Sequence, residues 1–203
     1  LESTMGDIHK DGMACGDIDV ALWAVYDKLF VHYFMARSNL SSLDSQLSTS
    51  CKMMKDFQQH LLVDAMSMFW QAVMNLRGNS DHDEMLIGDA FDERKHCDPD
   101  SSNDLMKTMI TANKMYLCAY LAKYQAGAAN ASANLELWLK TVPGAMHVPP
   151  MVYHGGLCCY VASHGKLRNV SKKDRMRFKK MARKCHKLLK GWQAKGHPNF
   201  PHY

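Results

Sequence analysis

Three groupings in this 203-residue chain carry ligand or nucleophile chemistry by residue type: Cys158-Cys159, Cys185-His186 and His96-Cys97-Asp98. Thiol, imidazole and carboxylate are the donors of structural zinc. A closed tetrahedral site, however, needs ligands spaced so that four converge on one ion, most often as two C-x-x-C pairs. The chain has no C-x-x-C, so these thiols read as buried and these histidines as surface groups. His82-x-Glu84 matches the first half of a zinc-deaminase signature, but the P-C-x-x-C half is absent. Gly165-Lys166 is not a phosphate loop, because Tyr160 stands where the first glycine belongs and Leu167 where the Ser/Thr belongs. Eleven histidines and twenty acids could supply an acid–base pair, yet no spacing nominates one. The expectation is no catalytic residue, no cofactor and no metal ligand.

The sharpest feature is electrostatic. Residues 166–195 hold thirteen Lys/Arg and one acid, Asp174; the chain as a whole carries +5, so that stretch of +12 leaves −7 elsewhere. Nine of the acids lie between Asp81 and Asp104, against only Arg94 and Lys95. The basic stretch reads as a helix with an apolar stripe of Phe178, Met181, Ala182, Cys185, Leu188, Leu189 and Trp192. Around it stand Lys172, Lys173, Arg175, Arg177, Lys179, Lys180, Arg183, Lys184, Lys187 and Lys190. So dense a positive face repels itself and attracts anions. One reading is a solvated face, neutralised by the acidic 81–104 segment or a neighbouring domain. The other is an anion-binding module for nucleic acid or an acidic membrane surface, through phosphate contacts that weaken with salt. The first is preferred, because no aromatic residues for base stacking are interleaved on the basic face.

The elements that must position these residues are helical. Ile18, Ala21, Leu22, Val25, Leu29 and Tyr33 predict a helix over 17–37 with Asp17 as its cap. A second starts after Ser41-Ser42-Leu43-Asp44, an S-x-x-D capping pattern, and runs past Phe57. In 57–76 one stripe is Phe57, Leu61, Ala65, Met68, Ala72 and another is Leu62, Met66, Phe69, Trp70, Val73, so that helix is sandwiched by neighbours. Ser80-x-x-Asp83 predicts a short helix over 83–95, and Asp98-Pro99-Asp100-Ser101-Ser102 a break. Further helices are predicted over 105–124, closed by Gly127, and over 128–140, rich in small residues and ended by Thr141-Val142-Pro143-Gly144. Another runs from Pro149-Pro150 to His164, and the last, capped by Ser171-x-x-Asp174, reaches Lys195. Gly155-Gly156 inside a helix costs ~1 kcal/mol per glycine, which a tight backbone contact would offset. Most of the sixteen methionines fall at core spacing.

With 47% hydrophobic residues the chain fills a sizeable core. No apolar run approaches the ~18 residues of a membrane span. Seven cysteines, an odd number spread thinly, point to reduced thiols and a cytoplasmic setting. The sequons at Asn39, Asn130 and Asn169 then read as chance. Opening at Leu1 with no initiator methionine, the chain reads as a fragment of a longer protein. No period-two apolar run occurs. The expected fold is all-α: antiparallel helix pairs stacked as a tetratricopeptide-like α-solenoid over a single segment, 1–203, with an irregular helical bundle as the alternative.

The run Tyr116-x-x-x-Tyr120-Leu121-Ala122-x-Tyr124-x-x-Gly127-x-x-x-Ala131 has the aromatic, glycine and small-residue order of a tetratricopeptide helix pair. Further blocks are Gly16-Asp17 with Ala21 and Trp23; Phe69-Trp70-Gln71-Ala72-Val73-Met74-Asn75-Leu76-x-Gly78-x-Ser80; Lys114-Met115-Tyr116-Leu117; and Tyr153-His154-Gly155-Gly156-Leu157. Towards the end come Met181-Ala182-Arg183-Lys184, Lys190-Gly191-Trp192 and Asn199-Phe200-Pro201-His202. On these residues the chain resembles the tetratricopeptide-like helical region of large diatom-type multidomain signalling proteins. Those proteins couple this region to protein-kinase-like, AAA-type ATPase and sometimes nucleotide-cyclase domains. It departs at the Gly-Asp-Tyr turn, replaced by Gly127-Ala128-Ala129, and in lacking a helix pair after His202. The resemblance implies a non-catalytic scaffold contacting other domains of the same chain or protein partners, since the enzymatic residues lie in other domains. Candidate structural residues are Trp70, Leu76, Tyr116, Gly155, Gly156 and Trp192; candidate anion or partner contacts are Lys172, Lys173, Arg175, Arg177, Lys179, Lys180, Arg183, Lys184 and Lys187.

Overall fold

The computed structural model describes residues 2–34, 37–96, 103–145, 147–164 and 170–195. The predicted break at 98–102 and the Asn199–His202 block lie outside them. The described residues form nine helices and no strand: α1 (Glu2–Cys15), α2 (Ile18–Phe34), α3 (Leu40–Asp56), α4 (His60–Leu76), α5 (Glu93–His96), α6 (Asp104–Tyr120), α7 (Tyr124–Thr141), α8 (Val148–His164) and α9 (Lys172–Ala194). The all-α expectation holds. The contacts divide the chain into two units, 1–98 and 99–203.

In the first unit α1 packs on α2 and α3 on α4, and α2 also touches α3 and α4. The sequence reading passed over α1, which carries few apolar residues. Its inward seat is Gly12, where an added Cβ would stand 3.0 Å from Ala21 Cβ. Asp17 does cap α2, accepting from Val20 N at 3.2 Å. The cap of α3 is not Ser41 but Asn39, whose side chain accepts from Ser42 N at 2.8 Å. Asp44 is thereby released to accept from Trp70 Nε1 at 2.6 Å and to pair with Arg77, which ties α3 antiparallel to α4. The core is an aromatic cluster around Phe69, 2% exposed, with Tyr26, Phe30, Tyr33 and Phe34 of α2 at centroid distances of 5.4–5.7 Å. Of the two stripes on α4, Leu62, Ala65, Met66, Met68, Phe69, Ala72 and Val73 are buried, whereas Leu61 is exposed.

The predicted helix over 83–95 shrinks to Glu93–His96, and Ser80 makes a local turn, accepting from His82 N at 3.2 Å. Two buried polar side chains of α4 explain the difference. Asn75 Nδ2 donates to the carbonyls of His82 and Met85, each at 2.7 Å. Gln71 Oε1 accepts from Ala90 N and Phe91 N at 3.2 and 3.3 Å. With these donors and acceptors satisfied from α4, the segment has no need of its own helical ladder. Buried Glu93 adds a bond from Leu86 N at 3.0 Å.

In the second unit each helix packs on the next, and α6 also touches α8 and α7 touches α9, the stacking pattern of helical repeats. Gly127 does not close α6. The turn is at 121–123, with Ala122 at φ +56°, and Gly127 lies inside α7. A Cβ there would stand 2.7 Å from Cys158 Sγ and 2.9 Å from Met115 Cε. A Cβ added at Gly155 of α8 would stand 3.0 Å from Ala131 Cβ, and with Gly127 set against Cys158 this makes α7 and α8 antiparallel at close range. Trp138, fully buried, donates from Nε1 to Thr111 Oγ1 at 2.8 Å. The start of α8 at Val148-Pro149-Pro150, the end of α7 before Gly144 (φ +80°) and the Ser171 cap of α9, accepting from Asp174 N at 3.0 Å, follow the sequence reading.

We expect Trp138→Ala to cost about 3–5 kcal/mol in urea denaturation and half-buried Trp70→Ala less; the opposite order would contradict these placements. Asn75→Ala removes the buried amide that holds the His82 and Met85 carbonyls, hydrogen bonds of about 0.5–1.5 kcal/mol each, and should cost about 1–3 kcal/mol. Amide exchange should then accelerate over residues 80–93 and stay unchanged in α6–α9.

Candidate functional site

The second unit holds an open groove of about 650 Å³ between α8 and α9. Its two rows follow from helical periodicity. On α8, Tyr153, Leu157, Tyr160 and His164 recur at four-, three- and four-residue steps, opposite the small-residue face that packs on α7. On α9, Lys179, Arg183, His186 and Leu189 follow at four-, three- and three-residue steps, with Ala182 beside them. The floor is the contact of Gly156 with Cys185, where an added Cβ would stand 2.8 Å from Cys185 Cβ. Only a glycine lets the helices meet there, and the groove lies beside that contact.

The apolar stripe of α9 is less covered than its composition implies. Phe178 and Cys185 are buried, while Met181, Ala182, Leu188, Leu189 and Trp192 are half-buried. Tyr160 is 57% and Leu157 36% exposed. The candidate structural residues divide similarly: Tyr116 and Gly155 are buried, and Trp70, Leu76, Gly156 and Trp192 half-buried.

The cations of α9 do not act alike. Lys184 pairs with Glu136 of α7. Arg177 pairs with Asp174 at 3.2 Å and lies over the Phe178 ring. Half-buried Arg175 donates from Nε to the Val170 carbonyl at 3.3 Å. Lys179 and Arg183 line the groove, and no described carboxylate pairs with either. Lys172, Lys173, Lys180 and Lys187 are exposed.

Titration in this unit follows burial. The thiol of Cys158 is pushed up to about 12 by burial and then by neighbouring Cys118 and Cys159. Burial likewise raises Cys159 to about 11 and Cys185 to about 12. Such thiols are protonated at neutral pH and poor nucleophiles or ligands. Among the described residues no group of three His, Cys, Asp or Glu side chains is placed to hold a metal ion. His154 lies against Tyr116 and Tyr120, at 5.0 and 5.4 Å, and burial lowers it from 6.5 to about 4; His147 is lowered to about 4 by the same cause. Nothing in the sequence singled out the groove, because its walls alternate residue types that each read as core or as solvated charge.

In the first unit, a polar cleft of about 300 Å³ is lined by residues including Ser80, Asp81, His82 and Asp89. It sits on the loop that Gln71 and Asn75 hold. Comparison with protein-family models, with curated proteins and with solved structures finds no match to this chain.

Both histidines, half-buried, stay neutral in the fold down to about pH 4, whereas in the unfolded chain they take up a proton below about pH 6.5. Stability should therefore fall as pH drops from about 6.5 to about 4, by up to ~1.4 kcal/mol per pH unit for each, and level off below. Urea midpoints across that range check it; His154→Phe, which keeps the aromatic contacts, should remove its share of the slope.

Proposed function

We propose that this chain is a non-catalytic helical-repeat scaffold in the cytoplasm, mediating protein–protein or interdomain contacts within a larger signalling ATPase or kinase protein. The observation that carries the reading is the α8–α9 surface: an apolar stripe left half-covered, flanked by Lys179 and Arg183, with which no described carboxylate pairs. A chain selected only for stability would cover such a stripe, since each buried side chain of Leu or Met size contributes ~1.5–3 kcal/mol. Exposed apolar area rimmed by charge is what interaction surfaces present. The resemblance to the helical regions of diatom-type signalling proteins supports the same reading, as does the pattern of shifted pKa values. Burial is the first cause for each shifted thiol and histidine of the second unit, as for core groups, rather than a close charge partner as in acid–base sites.

The exposed Lys173, Lys180 and Lys187 favour a second reading, an anion-binding module for nucleic acid or acidic lipid. Panning a displayed library of random peptides on the intact chain separates the two. The scaffold predicts a reproducible peptide consensus whose binding survives reversal of Lys173, Lys180 and Lys187 to Glu. Failure to enrich any consensus would overturn it, and salt-sensitive retention on phosphatidylserine vesicles or oligonucleotides, abolished by that reversal, would establish the alternative.

A further inference from the structure

Resting on the scaffold reading, we infer that the α8–α9 groove receives an acidic amphipathic helix from a protein partner, its apolar side chains between the two rows and its carboxylates on Lys179 and Arg183. Shape is the first argument. From Tyr153 to His164 the α8 row advances ~16 Å, about three helical turns, and the α9 row from Lys179 to Leu189 about the same. A trough between two helices presents repeats at three- and four-residue steps, which another helix matches.

The second argument is internal. In this unit α8 is itself a helix seated on a pair, touching both α6 and α7. That seat closes through small residues: Gly127 against Cys158, Gly155 against Ala131, and Cys159 Sγ donating to the Ala128 carbonyl at 3.7 Å. The α8–α9 pair closes in the same way, at Gly156 against Cys185, but beside that contact Leu157 and Tyr160 stand exposed. Along this open edge the groove takes side chains between its rows.

Charge selects the occupant. Along the other flank of α9, Lys184 already has Glu136 of α7 as its counter-ion. On the groove side Lys179 and Arg183 have no described carboxylate, and Arg183 offers a fork that a carboxylate fills in bidentate fashion. A basic helix would add like charge to a helix already dense in it. An acidic one relieves that repulsion, which gives it a faster association rate and a steeper salt dependence than a neutral peptide.

Three synthetic peptides of three to four turns test this by fluorescence anisotropy on the intact chain: leucines at steps of four, three and four among glutamates; the same with lysines; and the glutamate peptide with its leucines scrambled. The first should bind at least about tenfold more tightly than the others, and should lose about tenfold or more on K179E/R183E and on Tyr160→Ala, with far-ultraviolet helicity of both variants unchanged. Equal binding of all three peptides, no binding of the first, or no loss on both variants would overturn the assignment. Where library-selected peptides bind the chain while their footprint by amide exchange spares α8 and α9, this assignment falls and the scaffold stands. Where the library yields nothing as well, both fall.

Discussion

Everything distinctive in the second unit depends on how closely three helices can approach one another. At Gly127, Gly155 and Gly156 there is no room for a side chain, and the nearest atoms would stand 2.7–3.0 Å from an added Cβ. A glycine within a helix loses about 1 kcal/mol relative to alanine. That loss is offset only where dispersion contacts across the helix pair increase as the axes converge. Convergence at Gly127 and Gly155 packs Cys158 and Cys159 into a dry interior, where burial raises their pKa values far above neutrality. The same convergence at Gly156 seats α9 on α8. Beside that contact Leu157 and Tyr160 stand exposed along the groove. The groove is the geometric remainder of a glycine contact.

The charge of α9 is borne within this frame. A helix with ten cations over its solvent-facing surface is strained by its own repulsion, and surface pairs at Lys184 and Arg177 relieve little of it, since exposed ion pairs contribute ~0–1 kcal/mol. Burial of Phe178 and Cys185 anchors the helix instead. The Ser171 cap and Asp174 in the first turn contribute where they oppose the helix dipole. Such a helix folds because of its apolar stripe and stays charged because its charges face water, so its electrostatic field is available to a ligand.

How far the fold could be read in advance depends on whether the determinant is local. Ser171 and Asp17 cap their helices from adjacent positions, and Pro149-Pro150 starts α8 by fixing its own backbone. These are visible in a window of a few residues. Gly12 and Gly127 are seats for another helix, and a residue that works by having no side chain leaves no trace in a count of apolar periodicity. Asn39 rather than Ser41 is the cap because α3 already begins at Leu40, and Asp44, the acid of the apparent capping pattern, is held by Trp70 and Arg77 from α4. The loop before α5 follows from Gln71 and Asn75, whose bonds span seven to twenty residues in sequence. A helical reading of that stretch ignored competitors for its backbone. The basic stripe was legible in full, its incomplete coverage not at all, because coverage is a property of α8 and not of α9.

That last point bears on what kind of protein this is. Stripes on single helices are written in sequence, but an interaction surface is written between helices, in the mismatch between what one presents and what its neighbour covers. In this chain the mismatch is asymmetric. The α7 face of α8 is closed by small residues, whereas beside the Gly156–Cys185 contact the α9 side leaves Leu157 and Tyr160 exposed. A stacked helical array that repeated the first arrangement throughout would bury its stripes and leave little apolar surface for others. Placing exposed bulk beside one glycine contact of the array keeps the fold, since Gly156 still seats α9 on α8, and leaves an apolar edge beside a packing interface. On the proposed reading its selectivity resides in Lys179 and Arg183, with which no described carboxylate pairs.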